Sequence, residues 1–406
     1  MKTKLIGMAC MAWAVFWACV TAAAEPSISQ VKVRQRWPWS PLVDIDYVLS
    51  ADEGVQVDIA VQAFEGEATL ALPLGSWSGD LHAVSKGARH IVWDPTVTAC
   101  TNAGVLTDFR VSLTPTPVPL YMIVDLTRSP GAEGQIEYVY PGDARLETHG
   151  YWTNVWFGVT NDAVYTSDKL VMRRVRAGSY KAGFEVPPTI DVTVSKDFYV
   201  GVFALTVAQY RKIMGGTPSA SATPNGYMPY YGVRGYPSDS PPVNWPSTGS
   251  HVNPTSFIGV VRFKTGISDL DLPTCAQREY FCRAGTTSYY HDGESTGPST
   301  NILDRLAWWV HNAGVTLWPV GLLEANHWGL YDTIGNAFEW CLNWDSGATP
   351  LGGVDPTGPE TGTKRMLMGY NRSGSVTSCR PSATLLLDPS NPGGASTTVR
   401  LIWPLP

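Results

Sequence analysis

Thiols are the side chains in this sequence with the most chemistry to offer. Two of the seven cysteines, Cys10 and Cys19, fall in the first 24 residues; Cys100, Cys275, Cys282, Cys341 and Cys379 lie beyond them. A thiolate can serve as nucleophile, redox partner or ligand for a soft metal. Five is an odd number, so at least one is free or pairs between chains. No C-x-x-C occurs, which removes the simplest zinc and thioredoxin-like arrangements. Cys275 and Cys282 stand seven apart in a segment that reads as helix, a separation of about 10 Å, too far for them to bridge each other. The seven histidines (His82, His90, His149, His251, His291, His311, His327) include no H-x3-H or clustered pair. Each reads as a surface or hydrogen-bonding residue rather than a ligand. There is no G-x-S-x-G, P-loop or H-E-x-x-H, and the scattered carboxylates do not pair into an acid/base couple from sequence alone.

The elements that must position these groups fall into a leader and three stretches. Residues 1–24 read as a signal peptide: Lys2 and Lys4, an apolar run from Ile6 to Val20, then Thr21-Ala22-Ala23-Ala24 for cleavage. Ala18-Cys19-Val20 lacks the leucine-rich lead of a lipoprotein site. The run is too short to span a bilayer, so the expectation is an exported protein, periplasmic or extracellular, with no membrane span. Residues 25–125 read as a small all-β sandwich of immunoglobulin or fibronectin type, from the alternation at Val43, Ile45, Tyr47, Leu49 and at Val55, Val57, Ile59, Val61. Residues 126–168, rich in Gly, Asp, Thr and aromatics, read as a linker with some strand pairing. Residues 169–406 mix short helices with aromatic, turn-rich stretches. Thr206 to Met214 has a helical apolar face and ends at Gly215-Gly216. Thr274 to Arg283 is a second helix with Thr274 as N-cap. The net charge of −6 argues against nucleic acid as a partner.

Residues 169 to 403 carry a family resemblance. Asp197-Phe198-Tyr199-Val200-Gly201-Val202-Phe203 with Leu205-Thr206, Pro242-Val243-Asn244-Trp245, and Leu272-Pro273-Thr274 with Cys282-Arg283-Ala284-Gly285-Thr286 follow one another in the expected order. The block Trp328-Gly329-Leu330-Tyr331-Asp332 with Gly335-Asn336-Ala337-Phe338-Glu339-Trp340-Cys341 is the most specific. Together they resemble the formylglycine-generating enzyme, or sulfatase-modifying factor, family. The resemblance implies an α+β, loop-rich, C-type-lectin-like domain. It also implies a structural calcium site from the side chains of Asp332 and Glu339 and the carbonyls of Gly335 and Ala337, hard oxygen donors on one tight loop. The plainer alternative has Asp332 capping a turn and Glu339 paired with an arginine. Asn301-Ile302 resembles part of a second calcium site.

Enzymes of that family oxidise a client sulfatase's cysteine to formylglycine with oxygen and a copper(I) ion held by two cysteines. Cys379 falls on the second of these positions and is the one catalytic candidate; the first is Gly374, which has no side chain. Relatives that use non-haem iron take ligands from histidines on an added helical domain, a pattern these histidines lack. Other departures accompany the missing thiol. The helix motif "EAEWEY" reads Cys275-Ala276-Gln277-Arg278-Glu279-Tyr280, the "GGS" reads Gly369-Tyr370-Asn371, and the terminal "GFR" reads Thr398-Val399-Arg400. Two readings follow. In the first, the chain is a non-catalytic or altered member whose Gly369–Thr398 segment binds a protein or glycan. In the second, it is a formylglycine-generating oxidase acting on a sulfatase client, which needs another thiol beside Cys379.

Overall fold

Alternation in the first stretch gives the strand Val43–Ser50, and its inward residues Val43, Ile45, Tyr47 and Leu49 are each at most 1% exposed. In the computed structural model that describes residues 25–70, 76–97, 108–216, 230–347, 351–391 and 396–405, this strand lies between Ser27–Gln35 and Gly87–Trp93, with Trp77–Gly79 at the far edge. Asp58–Glu65 pairs with Ala68–Leu70 and Phe109–Thr116 in a second antiparallel sheet. The two sheets share one core, in which Trp93 stacks between Trp77 and Phe109 at centroid distances of 5.9 and 4.6 Å. The expected leader and Cys100 lie outside the described residues.

The stretch 121–168 departs from the expected boundary and linker. Tyr121–Asp125 pairs with Lys169–Val175, and Ile136–Val139 adds beside it. These two strands extend a sheet whose order continues through Phe198–Gly201 to Ile402–Pro404. Both of its faces are covered. Met122, Val124, Met172 and Tyr199 enter one core, while Tyr121, Ile123, Val171, Phe198 and Val200 enter the other. A strand buried on both sides reads as an unbroken apolar run rather than an alternation, which is why Tyr121-Met122-Ile123-Val124 signals it poorly. Val139, Trp156 and Val159, all buried, anchor the remainder of the presumed linker in the second core.

Two further sheets complete a mixed, sheet-rich unit with few helices. One has the order Thr384–Leu387, Arg365–Met368, Phe338–Trp344, Thr397–Thr398; the other joins Gly178–Ala182, Ile190–Val194 and Gly353–Val354. The helix Val207–Met214 starts at Thr206, whose side chain and that of Gln209 cap each other's backbone amides, and stops at Gly215 in a left-handed conformation. The helix Cys275–Arg283 repeats this at Thr274 and Gln277 and ends on Ala284 at φ 48°. The first β unit is tied to the larger one by Asp58, which takes an ion pair at 2.7 Å from Arg174. Among the described residues no helix is long and apolar enough to cross a membrane.

His291 is 1% exposed and neither ring nitrogen has a hydrogen-bond partner among the described residues. Burial holds its pKa down at about 4, against about 6.5 for a free imidazole. Between those values the unfolded chain takes a proton that the folded chain refuses, so stability falls as pH falls through that window. Urea unfolding at pH 7.5 and 4.5 should show a loss of about 2–3 kcal/mol from this residue. The loss should be absent from a folded His291→Leu variant.

Candidate functional site

The helix Cys275–Arg283 lies across one face of the strand Phe338–Trp344, and its side chains meet that face in order. Cys275 N–H donates to Asn343 Oδ1 at 2.8 Å. One turn on, Arg278 Nε lies 2.7 Å from Glu339 Oε2 as an ion pair. Arg278 Nη2 donates to Thr333 O at 2.6 Å. From the opposite side Arg400 reaches the same carboxylate, with Nη2 2.8 Å from Oε1. Arg400 spends its other donors on the carbonyls of Gly201, Val202, Tyr331 and Asp332. All three side chains are at most 1% exposed.

Asp332 sits seven residues before Glu339 at φ 52°, a left-handed conformation that Asp tolerates better than most residues. Its Oδ2 accepts the amide of Gly321 at 2.8 Å, and burial pushes its carboxyl up to about 6. Gly335 is pinned against the backbone of Trp308, where a Cβ would come within 2.5 Å of the Trp308 carbonyl oxygen. Asn336 clamps the neighbouring segments: its side chain exchanges hydrogen bonds with the backbone of Trp318, its amide donates to Trp308 O, and its carbonyl accepts from Arg372 N. Ala337 is buried behind it. Asn301 and Ile302 lie on the helix Thr300–Leu306, capped by Ser299.

These residues do not fit the divalent cation that the resemblance implied. The carboxylate of Glu339 faces two guanidinium groups, whose charge repels a further cation, and among the described residues no three His, Cys, Asp or Glu side chains converge as a metal site. Arg278 stands where the family motif has Trp, so the local positive charge is supplied by the chain.

Cys379 and Gly374 occupy one pocket. A Cβ on Gly374 would lie 2.5 Å from Cys379 Sγ and 2.5 Å from Tyr370 Cδ1, so the two positions face each other as a cysteine pair would. The second thiol is absent, and a side chain in its place would displace its neighbours. Cys379 is fully buried among Cys282, Tyr290, Leu303 and Ile334. Its Sγ lies 3.9 Å from Asn371 O, and burial pushes the thiol up to about 12. Cys282 Sγ is turned toward Thr333 O at 3.4 Å. Cys275, Cys282, Cys341 and Cys379 are all buried and unbridged.

Sequence reasoning missed the surface beside this pocket. Arg380 stacks on Phe184 and Tyr289 at 4.7 and 5.2 Å and donates to the Phe184 carbonyl. Residues 196 apart in the chain gave no local signal of this contact.

Removing the charge of Glu339 leaves two buried cations without a counter-ion, a change that costs roughly 3–5 kcal/mol in buried pairs. Glu339→Gln should therefore lower the urea-unfolding free energy by about that amount. Glu324→Gln, at an exposed pair with Arg305, should change it by less than about 1 kcal/mol.

Comparison with known proteins places this geometry. A family model described as sulfatase-modifying factor enzyme 1-like domain matches residues 157–403. Chaperone protein LppX of Paenibacillus barcinonensis is 27% identical over 226 residues, 46% of this chain and 75% of that protein. The formylglycine-generating enzyme of Thermomonospora curvata is 43% identical over 56 residues, 13% of this chain and 18% of that enzyme. That of Streptomyces coelicolor is 36% identical over 110 residues, 24% of this chain and 34% of that enzyme. Both enzyme matches thus span about a third or less of the enzyme's length. Among solved structures, Treponema denticola variable protein 1 aligns with a TM-score of 0.44 at 21% identity, covering 58% of this chain and 95% of that one. With more than half of its length matched in one continuous block, the chain belongs to the sulfatase-modifying factor enzyme 1-like family.

Proposed function

We propose that this protein is an exported, non-catalytic member of the family that works as a binding module. In this reading a C-type-lectin-like frame presents the Gly369–Thr398 segment, and the N-terminal sheets form a sandwich held against it by Asp58 and Arg174. The observation that carries the reading is the pocket of Gly374 and Cys379: the position facing the thiol has no side chain. A copper(I) ion held by two thiolates has one donor too few there.

The surface beside the pocket supports a ligand-binding role. Arg380, Phe184 and Tyr289 form an arginine–aromatic stack of the composition that anchors protein contacts. Around it Ser373, Ser375 and Thr377 are exposed polar groups, and Phe184 is 39% exposed. A protein or glycan ligand suits this mixture. The relative named as a chaperone is in keeping with a protein partner. The frame in this reading needs no calcium, because Arg278 and Arg400 already neutralise Glu339.

The second reading, an oxidase that converts a sulfatase cysteine to formylglycine, draws on the local identity to formylglycine-generating enzymes. One assay separates the two. The protein, incubated with a sulfatase-motif cysteine peptide, oxygen, a reductant and copper(I), should leave the peptide unchanged by mass spectrometry. Aldehyde formation that disappears in Cys379→Ala would overturn the binding reading. In parallel, binding to arrayed glycans and to peptide-library phage should weaken about tenfold or more in Arg380→Ala, an anchor-sized effect, and persist in Cys379→Ala. Excess EDTA should leave the thermal unfolding midpoint of the protein in place.

A further inference from the structure

Two thiols do meet in this protein, away from Cys379. Cys341 lies in the strand Phe338–Trp344 on the same face as Glu339, two residues along. The neighbouring strand pairs Met368 with Glu339 and Leu367 with Trp340; beyond Trp340 the register shifts, and Met366 joins Cys341 in one buried cluster. Cys275, the first residue of the crossing helix, is set over them by the hydrogen bond from its amide to Asn343. Its Sγ lies 3.5 Å from Met366 Sδ, and Cys341 is packed into the same cluster. Met368 completes the cluster, with Leu386 packed against it. Cys275 is 8% exposed and the other three at most 2%.

Four sulfur atoms gathered in one buried cluster are a donor set of a definite kind. Sulfurs that share a metal at bond lengths of about 2.3 Å in a trigonal plane stand about 4 Å apart, close to the 3.5 Å between Cys275 and Met366. Thiolate and thioether donors together select a soft ion. The charged groups nearby are already committed: Glu279 is paired with Arg283 at 2.7 Å, and Arg278 with Glu339. No carboxylate is therefore left to favour a hard cation. We propose that Cys275, Cys341 and Met366, with Met368 alongside, form a binding site for a soft monovalent metal ion of the copper(I) or silver(I) class. On binding, each ligating thiol gives up its proton to solvent and a sulfur–metal bond forms in its place; no electrons are transferred. The site is separate from the Cys379 pocket.

The full chain, reduced and held without oxygen, would be titrated with copper(I) against the competing chelator bicinchoninate. X-ray absorption on the loaded protein would identify the donors. One ion per chain, with sulfur donors only, is the expected result. Affinity should fall about 100-fold or more in Cys275→Ala, and measurably in the milder Met366→Leu. Cys379→Ala should bind as the unmodified chain does. Circular dichroism before each titration shows which variants fold, and Met366→Leu preserves the volume of the cluster if Cys275→Ala does not. Undiminished binding in folded Cys275→Ala and Met366→Leu overturns the proposal. So does loss of binding in Cys379→Ala, which would place the ion in the other pocket. A Cys275–Cys341 disulfide in the native protein, seen by non-reducing peptide mapping, would also overturn it, because the thiols would then be unavailable.

Discussion

A single carboxylate held between two arginines fixes how the larger unit is assembled. Glu339 projects from the middle of one sheet, Arg278 from the helix crossing it, and Arg400 from the chain that leads into the edge strand of the other sheet. A charge this deeply buried needs counter-charges from fixed directions, and hydrogen bonds on their spare donors lower its cost. Arg400 meets that condition by donating to four backbone carbonyls, which also locks the turn at Tyr331-Asp332 against the sheet. The pair's net contribution to stability is less important than its geometry. Three elements distant in sequence can satisfy it in only one mutual arrangement.

That arrangement explains why the loop-rich parts hold their shape with little regular structure. The clamp made by Asn336 holds the segments of Trp308, Trp318 and Arg372 by their backbone groups and so constrains their paths, while the Trp308 and Trp318 rings stack on each other at 4.2 Å. Gly335 fits its close approach to Trp308 because it lacks a Cβ. Beyond this clamp the chain from Ser373 to Thr377 alternates exposed and inward residues on a short polar loop. Loops placed by a rigid scaffold are where functional residues are commonly carried.

Much of this was legible in the residues. Thr206 with Gln209 and Thr274 with Gln277 announce two helix starts, and the alternation from Val43 to Leu49 announces its strand. The block around Gly335-Asn336 announces the family. The strand at Tyr121–Asp125 was not legible as part of the larger sheet, because an apolar run with both faces covered carries no period. The partners of Glu339 were hidden for a different reason. Arg278 and Arg400 stand 61 residues from it in opposite directions, and only the crossing of helix and strand brings them together. The meeting of Cys275 with Cys341 was equally invisible, since it depends on strand register and on the side chain of Asn343.

The closeness of Gly374 to its neighbours couples three positions. A Cβ there would begin 2.5 Å from both Cys379 Sγ and Tyr370 Cδ1. A cysteine placed at Gly374 would meet a closed wall, and Tyr370 would have to move before two sulfurs could share an ion. Two-thiol ligation in this pocket is therefore a property of a group of residues, and no single replacement supplies it.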